Sequence, residues 1–326
     1  MIVPRYWAEA RLHEEHAGRS ITVWRFGWSD TSQEHAEAVA RSRAAEAMER
    51  IRRGENLPRR ERRVPYGAGE GIPIREEIVQ TYGDTVITRN CYGALCLNTP
   101  DVLFVDIDLD PRLPAKWYGL SVLFCGLLGV WVGHVTGRVG AGATAFFMVL
   151  PVALFVTAWS YQWITRRLNL LERRAINRVR RFAERHPGWH LRLYRAAAGL
   201  RLLALHQTFD PLDPVVTELF TAVRADPNYV RMCRMQKCFR ARLTPKPWRV
   251  GISKHIRPRH GAAWPVDPRF AEARAQWIRR YEYAIAGFGV CALTREFGSH
   301  TIHPAAYDVC RLHDTFCRVV ENLPLA

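Results

Sequence analysis

The chain has 326 residues, a mean hydropathy of −0.17 and a formal net charge of +16. This length corresponds to about two domains of roughly 150 residues each. With this mean hydropathy, the chain outside its two most apolar runs is as polar as an ordinary soluble protein, which excludes a chain made mostly of membrane-spanning segments.

The first 111 residues have the pattern of the N-terminal half of an α+β domain. Ile21–Trp28 is rich in β-branched and aromatic residues, which predicts a strand. Thr31 and Glu34 have the spacing of a capping box, in which a hydroxyl and a carboxylate satisfy the first free N–H groups of a helix. We therefore expect a helix from this point to about Arg53.

Two more strands are predicted before the apolar runs, at Thr85–Cys91 and Val102–Leu109. Because side chains alternate along a strand, Asp106, Asp108 and Asp110 share one face. Such close carboxylates repel one another unless a cation neutralises them, and Mg²⁺ or Mn²⁺ suits these oxygen ligands. The pattern predicts a metal site of the type used in phosphoryl or nucleotidyl transfer. The alternative is a strand with an acidic face towards solvent.

Two apolar runs occupy the middle of the chain, at Trp117–Gly137 and Ala143–Trp163. Neither contains Asp, Glu, Lys or Arg, and only Arg138–Gly142 separates them. At ~1.5 Å of rise per residue, a helix of either length spans roughly 30 Å, the thickness of the hydrocarbon core of a bilayer. We therefore expect a two-helix transmembrane hairpin inserted into the α+β domain.

The distribution of charge predicts the orientation of this hairpin. Residues 166–326 contain 29 of the 47 Lys and Arg residues but 13 of the 31 acidic residues, whereas the connection carries only Arg138. Basic flanks stay in the cytoplasm, so both termini should be cytoplasmic, in a protein of the inner membrane.

Met1–Leu12 has no apolar core, so we expect no signal peptide. The eight cysteines should then be reduced thiols.

Residues 166–326 form the basic C-terminal half of the predicted domain. Arg166–His186 reads as a basic helix that continues from the membrane. His190–Arg195 and Leu200–His206 have hairpin spacing, and further helices are predicted at Pro214–Arg224 and Pro268–Ala286. We expect these two strands to share one sheet with the two predicted strands before the apolar runs.

The segment 228–266 contains ten Lys or Arg residues and no acidic residue, with aromatic rings between them. In a protein held at the cytoplasmic leaflet, anionic lipid headgroups attract such residues by about 1 kcal/mol each. An acidic protein partner fits the same surface, and a nucleic acid or nucleotide is the alternative. The predicted contact residues are Arg195, Arg201, Arg234, Lys237, Arg240, Lys246 and Arg249.

Two pairs of cysteines have equal spacing, Cys91 with Cys96 and Cys233 with Cys238. Four thiolates could bind Zn²⁺ if the fold brought both pairs together, and the alternative is that all four are small buried hydrophobes. A third group, at helical spacing, is the weaker candidate, and nothing near Cys91 or Cys291 in the sequence indicates an activated nucleophile. This third group consists of Cys310, His313 and Cys317.

Two resemblances accompany these patterns. The strand with Asp106 and Asp108, followed by the hairpin Arg195–Arg201, resembles the metal-binding core of the archaeo-eukaryotic primase superfamily. That resemblance implies that the two aspartates bind metal and that the arginines of the hairpin contact phosphate. The segments Arg89–Pro100 and Arg231–Arg249 are similar to those of a group of bacterial two-span transmembrane proteins, which implies a location but no activity.

Two functions follow as hypotheses. In the first, the protein is tethered to the membrane without catalysis and uses its basic cytoplasmic surface on anionic lipid or on an acidic partner. In the second, it is a divalent-metal-dependent transferase with Asp106 and Asp108 as ligands.

Overall fold

A computed structural model of the protein describes residues 3–16, 19–61, 71–109, 113–258 and 264–326. The chain forms two compact units, one of Met1–Ile107 with Phe182–Ala326 and the other of Asp108–Arg181. The first unit contains helices and three sheets, and the second contains two long apolar helices. The predicted α+β class is confirmed.

The elements have the following bounds. The strands are β1 (Tyr6–His16), β2 (Arg19–Ser29), β3 (Glu77–Tyr82), β4 (Thr85–Arg89), β5 (Leu95–Thr99), β6 (Phe104–Asp108), β7 (His190–Ala196), β8 (Gly199–Ala204), β9 (Phe239–Arg242) and β10 (Cys291–Gly298). The helices are α1 (Gln33–Arg52), α2 (Ala115–Thr136), α3 (Val139–Arg167), α4 (Leu170–Arg185), α5 (Pro214–Val223), α6 (Pro227–Gln236), α7 (Ala271–Ile285) and α8 (Pro304–Cys317).

Strands β1 and β2 form an antiparallel hairpin against which α1 packs. The strand and the helix predicted here are confirmed, but the N-cap of α1 is Ser32 rather than Thr31. The Ser32 hydroxyl accepts a hydrogen bond of 3.1 Å from the backbone N–H of His35. A side chain at Gly27 would overlap the backbone of α1 at Ala36, so glycine lets the helix lie directly on the hairpin.

The second sheet has the strand order β3-β4-β5-β9, and the third has the order β10-β7-β8-β6. The predicted β7–β8 hairpin is confirmed. The prediction of one sheet containing all four strands is wrong, because β4 belongs to the second sheet. Glycines with positive φ turn the chain on both sides of β4, at Gly83 (φ +54°) and Gly93 (φ +97°), so β4 pairs with its chain neighbours β3 and β5.

Two aspartate–proline pairs start α5 and α6. Asp213 and Asp226 are the N-caps of α5 and α6, and each carboxylate accepts a hydrogen bond of 2.9 Å from the backbone N–H two residues later. The backbone N–H of Asp226 also donates to the carbonyl of Asp106, and the Tyr229 hydroxyl donates to that of Phe104. The start of α6 is therefore fixed to β6.

In the second unit, α2 and α3 pack side by side through small residues. Ser121, Cys125 and Gly129 are the buried residues of α2 and lie four residues apart, which places them on one face of the helix. A side chain at Gly142 would overlap the Gly129 carbonyl, so the two backbones come close at this point. Close approach through small residues is typical of helix pairs in membranes.

The basic helix predicted to continue from α3 is interrupted. Helix α3 ends at Arg167, and Asn169 has a left-handed backbone with φ +49° before α4 begins. Asparagine tolerates this conformation better than most residues, so the chain can start a new helix here. The buried side of α4 includes Val179 and Phe182, and its exposed side carries arginines.

Candidate functional site

One of the predicted metal ligands, Asp106, forms an ion pair in the structure. The Arg201 guanidinium, which is only 2% exposed, donates a 2.9 Å hydrogen bond to Asp106 Oδ1 and another of 2.9 Å to the Arg242 carbonyl. Asp106 is thus neutralised by a side chain on the neighbouring strand β8. Asp108 is exposed at the end of β6, and Asp110 lies outside the described residues.

The predicted basic contact residues divide into a buried and a surface group. Arg201 is buried against Asp106, and Arg240 is 3% exposed with its guanidinium 2.6 Å from the Glu76 carboxylate. Neither guanidinium can reach a lipid headgroup, because both are buried and each is paired with a carboxylate of the protein. The remaining five are exposed or partly exposed: Arg195, Arg234, Lys237, Lys246 and Arg249.

The two equally spaced cysteine pairs do not form a metal cluster with one another. Among the described residues, no group of three close metal-ligating side chains contains any of these four cysteines. Burial raises the pKa of Cys91 to about 11 and that of Cys238 to about 12, which favours the protonated thiol. Cys96, Cys233 and Cys238 are buried, as expected for small hydrophobes, whereas Cys91 is only partly buried.

A different set of side chains meets in the interior. Cys291 begins β10, and His313 and Cys317 lie one turn apart on the buried face of α8. Their ligating atoms all lie within 4.8 Å of one another, and His313 Nε2 is 3.8 Å from Cys291 Sγ. We refer to these three residues as the Cys–His cluster.

Within the Cys–His cluster, the pKa values of the two thiols shift in opposite directions. A hydrogen bond from Cys317 lowers the pKa of Cys291 well below its usual value, and the charge of His313 adds to this effect. Burial raises the pKa of Cys317. Burial alone would lower the pKa of His313, but the charge of Cys291 and a hydrogen bond to Asp314 raise it. The contact between Cys291 and His313 therefore lowers the pKa of the thiol and raises the pKa of the imidazole.

The Cys–His cluster is connected to the Asp106–Arg201 pair. Arg201 Nη1 lies 3.3 Å from His313 Nε2, while His313 Nδ1 lies 2.8 Å from Asp314 Oδ1. The other carboxylate oxygen of Asp314 accepts a 3.2 Å hydrogen bond from Arg192. A continuous set of polar contacts thus runs from β6 through β8 and α8 to β7.

A thiol beside an imidazole that a carboxylate orients is the arrangement of an activated nucleophile. A nucleophile also needs access to its substrate, and Cys291 and His313 are 1% and 0% exposed. The large cleft of about 630 Å³ beside α8 is lined by residues such as Asp84, Asp101 and Asp308, and not by the cluster. The geometry therefore supports a buried polar network that joins β10 and α8.

Sequence reasoning missed Cys291 as a member of this group. It placed Cys310 with His313 and Cys317 on helical spacing, but the Cys310 thiol instead faces Arg192 and Tyr194, at 3.0 and 3.6 Å. No local signal could have identified Cys291, because it reaches α8 from a separate strand.

No protein-family model, curated protein or solved structure matches this chain.

Proposed function

We propose that the protein is an integral protein of the inner membrane, in which α2 and α3 form the transmembrane hairpin. The hairpin tethers the α+β domain on the cytoplasmic side, and exposed basic side chains contact anionic lipid headgroups.

The exposure of large apolar side chains on α2 and α3 supports the hairpin. Only 17% and 6% of the most apolar stretches of these helices are buried. Trp131, Phe147 and Phe155 are 61%, 70% and 69% exposed. A core helix of a soluble protein buries such residues, and soluble monomers rarely expose apolar patches larger than a few hundred Å². Hydrocarbon is the solvent that suits these surfaces, since helices satisfy their own backbone hydrogen bonds.

Charged and aromatic residues at the helix ends support the orientation and the lipid contact. Arg166 and Arg167 end α3, and the exposed arginines of α4 follow, whereas the turn between the helices carries Arg138. Lys and Arg near helix ends favour the cytoplasmic side and attract anionic lipid. Trp117 and Trp163 are exposed near the same ends, where indole rings suit the membrane interface.

The ion pair of Asp106 argues against the alternative function, a metal-dependent transferase. A two-metal site needs several carboxylates free to face a cation. Asp106 already has the Arg201 guanidinium at 2.9 Å, so a cation of the protein itself faces this carboxylate.

Membrane extraction and reporter fusions test the hairpin. The full chain should stay in the membrane pellet after alkaline carbonate washing and dissolve only in detergent. Reporters fused at Gly140 and after Ala326 should lie on opposite sides of the membrane. Recovery in the soluble fraction would refute insertion, and the same side for both reporters would refute the hairpin.

The lipid contact needs a separate measurement. We expect the backbone amides of α4 to exchange hydrogen more slowly in nanodiscs that contain phosphatidylglycerol than in nanodiscs of phosphatidylcholine alone. Changing Arg173, Arg174 and Arg180 to glutamine should remove this difference. Arg41→Gln, at an exposed position of α1, is the matched control and should keep it. Equal exchange of α4 in both lipids would contradict the contact.

A further inference from the structure

A second group of metal-ligating side chains lies where β7 begins and β10 ends. His190, Glu296 and His300 place one ligating atom each within 4.8 Å of the others. These residues belong to the α+β unit and are separate from the Cys–His cluster. Sequence reasoning did not single them out, because 106 positions separate His190 from Glu296.

The imidazole of His190 is buried, and one of its two nitrogens has no hydrogen-bond partner among the described residues. It is 2% exposed, and its Nδ1 lies 3.0 Å from the Thr301 carbonyl. A carbonyl only accepts hydrogen bonds, so Nδ1 carries a proton, and in the neutral imidazole Nε2 is the nitrogen with the lone pair. Among the described residues, Nε2 has no hydrogen-bond partner. A buried acceptor without a partner is destabilising, and it is the feature that a bound cation would explain.

Glu296 presents one carboxylate oxygen to this nitrogen. Its Oε1 accepts a 2.6 Å hydrogen bond from Arg192, which holds the carboxylate in place. Its Oε2 lies 3.7 Å from His190 Nε2, too far for a hydrogen bond. In the β7–β10 pairing, Glu296 is opposite Arg192 and Gly298 is opposite His190, so the residue directly across from His190 has no side chain.

His300 completes the group from an anchored loop. Its Nδ1 lies 3.8 Å from Glu296 Oε2, and its side chain is 70% exposed. The backbone at His300 has φ +59°, an uncommon conformation for a residue with a side chain. The preceding residue, Ser299, donates from its backbone N–H to the Trp189 carbonyl at 2.8 Å and from its hydroxyl to the Gly188 carbonyl at 3.0 Å.

We propose that His190 Nε2, Glu296 Oε2 and His300 Nδ1 bind a divalent transition metal of the zinc class. Two imidazoles and a carboxylate are a known ligand set for Zn²⁺. A tetrahedral ion with bonds of about 2.0–2.1 Å separates its ligand atoms by roughly 3.3 Å. The observed 3.7 and 3.8 Å therefore need to shorten by only about half an ångström.

The hydrogen bonds that orient the three ligands also fit a metal centre. Histidine ligands commonly donate their other N–H to a carbonyl or carboxylate, as His190 does to Thr301. The Arg192–Glu296 contact orients the carboxylate in the same way. Because His300 is open to solvent, the fourth position would hold water, as in zinc sites that keep an open coordination position.

Equilibrium dialysis of the detergent-solubilised full chain against Zn²⁺ tests the proposal, with a chelator of known affinity as competitor. We expect one ion per chain in the wild type and an affinity at least about tenfold lower in Glu296→Gln and His300→Asn. The second variant changes an exposed side chain, so it should fold normally. His255→Asn, at another exposed histidine, is the control and should bind as the wild type does.

A Cys291→Ser/Cys317→Ser variant separates this site from the Cys–His cluster. It should keep its ion, and Co²⁺ bound to the wild type should show visible d–d absorption without a sulfur-to-cobalt charge-transfer band. Loss of the ion in the cysteine variant, or a sulfur band, would place the metal elsewhere and overturn the proposal. Equal affinity in the wild type and Glu296→Gln, or no bound ion, would also overturn it.

Discussion

Replacing Asp106 by alanine removes the carboxylate that faces the Arg201 guanidinium across 2.9 Å. Arg201 is 2% exposed and always charged, so it would keep its charge in the interior without its anion. Breaking a buried ion pair by removing one partner lowers the free energy of unfolding by about 3–5 kcal/mol. We expect the lower end, about 3 kcal/mol, because the Asp106 side chain is 35% exposed and Arg201 keeps the Arg242 carbonyl.

The assay is thermal unfolding of the full chain in detergent, followed by near-ultraviolet circular dichroism. For a domain of about 250 residues, 3 kcal/mol corresponds to a fall in Tm of roughly 6–12 °C. Asp108→Ala is the matched control, since it removes an exposed carboxylate two residues away and should lower Tm by at most about 2 °C. The double variant Asp106→Ala/Arg201→Met should recover most of the loss, because an apolar replacement of a buried pair is often neutral.

A metal-ligand role for Asp106 predicts a different outcome. Mn²⁺ would then raise the Tm of the wild type, and both aspartate variants would lose this effect. Equal falls in Tm for Asp106→Ala and Asp108→Ala, or no recovery in the double variant, would refute the assignment of Asp106 to a structural ion pair.

Three further predictions concern the hairpin, the thiols and α1. Gly142→Leu should loosen the α2–α3 pair and speed its proteolysis in micelles, because the side chain would overlap the facing backbone, whereas Gly140→Leu, with open space around it, should not. Alkylation of Cys91 should be slow at pH 8 and accelerate up to about pH 11, because burial raises its pKa to about 11 and only the thiolate reacts; a plateau near pH 9 would contradict this. Ser32→Ala should lower the free energy of unfolding by about 1 kcal/mol through loss of the N-cap, and Thr31→Ala by less, as denaturant titration would measure.

Local patterns in the sequence were enough to predict many of the elements. The β-branched run of β2, the spacing of the β7–β8 hairpin and the long apolar runs of α2 and α3 each specify a backbone conformation through neighbouring residues. Strand β1 was missed because its charged side chains obscure the alternation, and its pairing with β2 stabilises it.

Only the tertiary structure decided which strands share a sheet and which polar groups meet. Strand β4 pairs with strands that carry no strong sequence signal, so its sheet depends on long-range packing. Three pairs of polar side chains come together from separate elements. They are Arg201 with Asp106, Cys291 with His313, and His190 with Glu296. These contacts depend on the folding of distant segments against one another, which no spacing along the chain records. The sequence by itself therefore determined the apolar hairpin and many local elements, and the fold determined which buried polar side chains meet.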